Sequence, residues 1–140
     1  MAILGAFTNG FILVNGIDLS NHATSITVET TRDEVDVTAM GAVQKVNTPG
    51  LGDATISVTF LQDYAAGSVD ATLSGLSSTT TPFTVEVRPT NAARSATNPA
   101  YVLTSLMYGY SPVAGGVGDA LTIDISFRNA SQSGLQRLTS

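Results

Sequence analysis

The chain contains no cysteine. It therefore has no disulfide frame, no thiolate metal site and no thiol nucleophile, and a small disulfide-stapled secreted domain is not expected. It has one histidine, His22, beside Asn21 and close to Asp18. Without a cysteine or a second histidine it cannot anchor zinc, and a turn histidine in solvent is expected. Charge is scarce as well: charged residues make up 12% of the chain, with six Lys and Arg against eleven Asp and Glu. A net charge of −5 with scattered cations argues against a protein that grips nucleic acid, because phosphate binding needs clustered Lys and Arg. The apolar start, MAILGAFTNGFILVNGI, lacks a basic region and is broken by Asn9, Gly10, Asn15 and Gly16. It fits neither a signal peptide nor a membrane span, so a cytoplasmic product made without export is expected.

Catalytic groupings are missing too. No Ser-His-Asp arrangement, phosphate-cradling glycine motif or dinucleotide fingerprint stands out. Gly115-Gly116-Val117-Gly118 is followed by a strand pattern rather than a helix and reads as a hairpin loop. Asp33, Glu34 and Asp36 lack the Gly and the closing Glu of a calcium loop and read as a solvated hairpin tip. Asn129-Ala130-Ser131 matches a glycosylation sequon, which has no meaning without export. No enzyme and no cofactor are expected.

What is present is a β pattern in a chain of 140 residues, the size of one domain with a real core. Thr, Ser, Gly and Ala abound, so polar surface comes from hydroxyls more than from ions. Ala54, Ile56, Val58 and Phe60 alternate with Thr55, Ser57 and Thr59, a strand with one buried and one wet face. After Gly67, Ser68 can cap a short amphipathic helix with Asp70 in its first turn and Val69, Leu73 and Leu76 on one side. So short a helix is not stable alone and must lie on a sheet. The fold is expected to be mainly β, closed by this one helix.

Residues 1 to 10 read as an arm, or as a first strand. Asn15-Gly16 marks a hairpin between Phe11 to Asn15 and Ile17 to Leu19, closed by Ser20-Asn21-His22. Ile26 and Val28 alternate with Ser25, Thr27 and Glu29, and Thr31-Arg32-Asp33 is expected to turn the chain into a strand at Glu34 to Thr38. The stretch 39 to 53, AMGAVQKVNTPGLGD, is expected to be a long loop, because Gly41, Gly50, Gly52 and Pro49 break any regular element. Yet it carries Met40, Val43, Val46 and Leu51, with Lys45 among them. It either docks against a neighbouring molecule or folds back as a lid on its own core.

Phe83, Val85 and Val87 form a further half-buried strand, and residues 89 to 99 a polar surface loop. Tyr101 to Tyr110 is apolar on both sides and should be a central strand. Leu121, Ile123, Ile125 and Phe127 alternate with Thr122, Asp124, Ser126 and Arg128, and residues 129 to 140 read as a polar tail. A polar strand face thus recurs: Thr55, Ser57 and Thr59, then Thr84 and Glu86, then Thr122, Asp124 and Ser126. It is either an ordinary solvated sheet face or a smooth acidic wall.

These pieces, in this order, resemble a known family. VNGIDLSNHATSITVETTRDEVDVTAMG, TISVTFLQDY before a short helix, VEVRPTNAARSATNPAY and GYSPVAGGVGDALTIDISF are similar to the major tail tube protein of long-tailed bacteriophages, over roughly residues 11 to 128. The resemblance implies the phage tail-tube fold: two packed antiparallel sheets, a β-sandwich or half-barrel, with one flanking helix, in a single domain over residues 1 to 140. It implies hexameric rings stacked into a tube, tape-measure and tail terminator proteins as partners, and double-stranded DNA passing through without specific binding. It implies neither membrane nor cofactor, and a place in the virion tail after assembly in the host cytoplasm. Thr55, Ser57, Thr59, Thr84, Glu86, Thr122, Asp124 and Ser126 would then line the lumen. Met40, Val43, Lys45, Val46 and Leu51 would lie on an inter-subunit loop at 39 to 53. Two alternatives stay open: a surface β-sandwich that binds a receptor or carbohydrate, and a tube protein of a tail-like bacteriocin or gene transfer agent.

Overall fold

Alternation of apolar and hydroxyl residues builds strands, and a computed structural model of the chain describes residues 9–140. The proposed N-terminal arm lies outside the described residues except for Asn9 and Gly10. Strand β1 (Phe11–Val14) turns into β2 (Ile17–Asp18) through Asn15 and Gly16 at φ 49° and 83°, the left-handed pair that a two-residue hairpin loop demands. A 3-10 turn at Ser20–His22 leads to β3 (Ala23–Asp36), which pairs antiparallel with β4 (Asn47–Leu61). Helix α1 (Val69–Leu76), β5 (Phe83–Arg88), β6 (Ala100–Met107), β7 (Thr122–Asn129) and β8 (Gln136–Leu138) complete the chain.

The strands form one antiparallel sheet, ordered β2-β1-β5-β6-β7-β4-β3 with β8 on β6. The described residues are mainly β with one short helix, as expected, but the two expected sheets are joined through β6 into one. One edge of β6 carries β5; the other is shared by β8 at Ala100 to Val102 and β7 at Ser105 to Met107. Phe83 of β5 and Phe127 of β7 meet edge-on with ring centroids 5.9 Å apart, although β6 runs between their strands. Two strand spacings in a flat sheet are about 9.5 Å, so the sheet curls around its core. That core joins Ile12 and Val14 of β1, Ile56, Val58 and Phe60 of β4, Val85, Leu103, Ile125 and the helix residues Val69 and Leu73.

Two boundaries differ from the sequence reading. Thr31-Arg32-Asp33 is not a turn: β3 runs straight through it, with Thr31 opposite Asp53 and Arg32 opposite Gly52. The loop expected over 39 to 53 is half strand, because β4 begins at Asn47. The glycines mark a bulge. The register shifts between Arg32 and Glu34, and a Cβ on Gly50 would sit 3.0 Å from Asp33 Cβ and 3.1 Å from Val35 Cγ2. Pro49 is tolerated because β7 joins β4 only from Thr55 onward, leaving a two-stranded ribbon with an open side.

The outcome is a hairpin arm. Beyond the pair Thr30 and Ala54 the ladder continues to Val37, whose N–H donates to the Val46 carbonyl at 2.8 Å. At about 3.3 Å per residue the ribbon extends about 23 Å before its tip. Every residue from 29 to 53 is exposed, so no lid folds back on the core. The expected polar tail is also ordered: Leu135 packs against the core and β8 adds to β6.

Core and arm should separate energetically. Leu73, fully buried under the sheet, is expected to cost about 2–5 kcal/mol on Leu73→Ala, whereas Met40→Ala is expected to stay within about 0.5 kcal/mol of the parent. Urea unfolding of the unassembled chain checks both, and equal losses would contradict an arm free of the core.

Candidate assembly surfaces and polar wall

The wet face of the sheet is continuous where β3, β4 and β7 lie side by side. Thr55, Ser57, Thr59 and Leu61 pair with Arg128, Ser126, Asp124 and Thr122 respectively, all outward because their neighbours in sequence fill the core. Ser25, Thr27 and Glu29 extend that face across Thr59, Ser57 and Thr55. The Thr59 hydroxyl donates to Asp124 Oδ1 at 2.6 Å, which ties the carboxylate to the neighbouring strand's hydroxyl. Six of the eight lining candidates therefore share one wall on two adjacent strands.

Thr84 and Glu86 sit elsewhere, on β5 across the central strand. Thr84 pairs with Thr104 and is exposed, but Glu86 is only 7% exposed. Arg94 hydrogen-bonds its carboxylate, and Arg88 lies 2.8 Å from Oε2 in an ion pair without hydrogen-bond geometry. The Arg88 guanidinium stacks on the Phe11 ring, 4.0 Å from its centroid. Glu86 thus cannot act as a free repelling charge. Strand alternation placed it outward, but nothing local to β5 showed that Arg94, from the following loop, would cover it. Sequence reasoning also missed Glu29 and Arg128, which the β3 and β7 registers put on the wall.

The loop candidates gather at the arm. Val35, Val37 and Val46 are exposed along the ribbon, and Met40 and Val43 at its tip are 104% and 95% exposed. Ala42 N–H closes a turn onto the Ala39 carbonyl at 3.3 Å with Gly41 at φ 88°. Asp36 steadies the tip by accepting the Thr38 N–H at 2.9 Å, and the Thr38 hydroxyl first, then that N–H, hold its carboxyl below the usual carboxylate range. Leu51 lies apart, at the arm's base, in a cleft of about 700 Å³ shared with Arg32 and Leu135.

His22 is not a free turn histidine. Its Nε2 lies 3.0 Å from Asp63 Oδ2, and the Ser68 hydroxyl donates to the same oxygen at 2.7 Å. Ser, His and Asp are thus brought together, but with Asp63 at the centre: the Ser68 hydroxyl donates to the carboxylate, and His22 meets both Asp63 and Ser68, the latter at 3.4 Å, through the one nitrogen Nε2 instead of bridging them with its two. Asp63 works as a structural hub. Donation from Ala65 N–H and from Ser68 holds its carboxyl below the usual range, and its backbone carbonyl accepts Asp70 N–H at 3.0 Å, inside the first turn of α1. Ser68 occupies the N-cap position as expected, yet its hydroxyl is used on Asp63 and makes no cap bond.

The FLQDY segment that carries this hub also pins the loop between β6 and β7. Gln62 Nε2 and the Tyr64 hydroxyl both donate to the Pro112 carbonyl, at 2.8 and 2.6 Å. The Tyr110 hydroxyl donates to Asp70 Oδ1 at 2.6 Å. Burial, then the Asp70 carboxylate, pushes the Tyr110 phenol up to about 12. Because the folded state favours neutral Tyr110, its contribution to stability is complete below the ordinary tyrosine range and is lost as pH rises from about 10 through about 12. A spectroscopic tyrosinate titration should show one late-titrating group that disappears in Tyr110→Phe; a Tyr110→Phe titration identical to the parent would refute the assignment.

No protein-family model and no curated protein matches the sequence. Solved structures do match. A chain of the virion of a native gene transfer agent particle is similar at TM-score 0.73 and 12% identity, over 96% of this chain and 98% of that one. A chain in the tail of an empty gene transfer agent particle with C6 symmetry is similar at TM-score 0.65 and 13% identity, over 85% and 83%. The sheath/tube terminator, in its extended state, of an extracellular contractile injection system is similar at TM-score 0.71 and 8% identity, over 97% of both chains. The eight-stranded sheet and short helix of the described residues thus share their fold with chains of a gene transfer agent particle and of a contractile injection system.

Proposed function

We propose that this chain is the repeating subunit of a phage-type tail tube, packed side by side into hexameric rings that stack into a hollow conduit for double-stranded DNA. The observation that carries this reading is the arm: a ribbon whose backbone is paired but whose Val35, Val37, Met40, Val43 and Val46 are all exposed. Apolar side chains held that far from the core gain nothing in a monomer, and burial against another copy is what gives them a role. Among the described residues the ends of the sheet, β2 on one side and β3 on the other, carry no further strand; such edges would be aggregation hazards alone and become joints in a closed ring. The fold likeness to a C6-symmetric tail supports the ring.

On this reading the chain is a structural protein without catalytic residues or cofactor, made in the host cytoplasm and placed in the virion tail. Its partners are its own copies, a tape-measure protein inside the tube and a terminator at its end. Thr55, Ser57, Thr59, Thr122, Asp124 and Ser126 line the lumen, with Thr84 at its margin. Hydroxyls offer phosphate no fixed cation, and Asp124 adds weak repulsion, so DNA slides without adhering. Gene transfer agents and tail-like bacteriocins would use the same tube. A receptor- or carbohydrate-binding module is the second reading, and it gains from Tyr64 and Tyr108, both exposed, with Tyr108 beside a shallow groove that holds Asp124, Ser126 and Arg128.

Electron microscopy of the purified chain at rising concentration separates the two, since hollow tubes support the conduit and a persistent monomer the module. Met40→Asp with Val43→Asp is expected to leave a folded monomer that forms no tubes; normal tubes from that double variant would remove the arm from assembly. Asp124→Lys is expected to leave tubes intact and to slow genome delivery by particles that carry it. Unchanged ejection kinetics would take Asp124 out of the lining.

A further inference from the structure

Stacking that continues without end requires two different surfaces at opposite ends of a subunit, one fitting the other. The arm is one of them. We propose that the other is the loop from Ser111 to Ala120, and that it receives the arm tip of the copy in the adjacent ring. This rests on the tube reading and names the partner surface that reading leaves open.

Placement is the first support. The arm leaves the sheet beyond Ala54, toward the start of β4 at Asn47, and β4 ends at Leu61, whose partner is Thr122, just past the loop. Arm and loop therefore project from opposite ends of one strand. Chemistry is the second. Within Ala39 to Val46 the only charged residue is Lys45, and within Ser111 to Ala120 the only one is Asp119. Around these lone opposite charges both tips are apolar: Met40 and Val43 face solvent on the arm, and Val113 and Val117 do so on the loop at 75% and 108% exposure. A single complementary pair within an apolar contact fixes register and orientation more than it adds affinity.

Both tips are also preformed. Asp119 N–H closes a turn onto the Gly116 carbonyl at 3.1 Å with Gly118 at φ 88°, just as Ala42 closes onto Ala39 with Gly41 at φ 88°. Val117 and Met40 hold the same second position of these two turns. Gln62 and Tyr64 anchor the loop at Pro112, so little conformational freedom remains to be lost on contact.

Charge reversal tests the pair. Lys45→Asp and Asp119→Lys should each abolish tubes at a concentration that fully assembles the parent, and the double reversal should restore them. The absence of cysteine allows a second test that does not depend on loss of assembly. Val43→Cys mixed with Val113→Cys should give disulfide-linked dimers on assembly, whereas each variant alone should give none. Tubes unaffected by either single reversal, or links formed equally within each variant alone, would overturn the arm-to-loop contact while leaving the tube reading standing. A parent chain that forms no tubes at any concentration would overturn both.

Discussion

The β3–β4 ladder is the constraint on which the rest depends. Over its inner half it is a core element, with Val58 and Ile56 opposite Ile26 and Val28. Over its outer half its two strands pair only with each other, and the N–H and C=O groups on their outer edges face water, so the ribbon stands in solvent without a core beneath it. A loop of the same length would carry unpaired N–H and C=O groups and would lose more conformational freedom on docking. By extending one ladder past the core, the sequence presents apolar residues at a distance with most of the ordering cost already met during folding. Gly50 is the local requirement for this, since any side chain there would meet Asp33 and Val35.

The far end of β4 is fixed by different means. There the chain leaves the ladder, and polar side chains replace backbone pairing. Asp63 gathers His22, Ser68 and Ala65, while Gln62, Tyr64 and Tyr110 tie the β6–β7 loop to the start of the helix. The helix is short and its cap hydroxyl is used elsewhere, so this network and the burial of Val69 and Leu73 hold it in place. One strand thus has both its ends made rigid, by a ladder on one side and by a hydrogen-bonded cluster on the other.

Legibility follows from the range of the forces involved. The Asn15-Gly16 turn, the alternation of β4, β5 and β7 and the helix face are local patterns, and each lies where its residues place it. The arm was misread because Gly and Pro signal loops and bulges alike, and only the partner strand distinguishes them. Thr31-Arg32-Asp33 has turn chemistry but no residue at positive φ; the true reversal is at Gly41. Strand β8 has no pattern of its own and exists because the edge of β6 offers pairing. Of the site, the β4 and β7 wall was legible from period-2 alternation alone. The neutralisation of Glu86 and the capture of His22 depend on Arg94 and Asp63, whose approach is set by topology.

Composition then sorts the surfaces by what can cover them. A hydroxyl wall gains little from burial, because each hydroxyl would exchange water for a partner that must be placed to match it. The apolar tips gain from burial and carry one charge each. In the proposed tube, the tips are therefore the surfaces suited to disappear on contact and the wall the one suited to stay wet. Scarcity of charge suits both parts of that proposal: few ions would be desolvated at the contacts, and few fixed cations would be left to hold a passing polyanion. Arg128 is the exception on the wall. It lies opposite Thr55, with Glu29 on the far side of that strand, and shares a cleft with Glu29 and Asp53, so the local charge around it is net acidic.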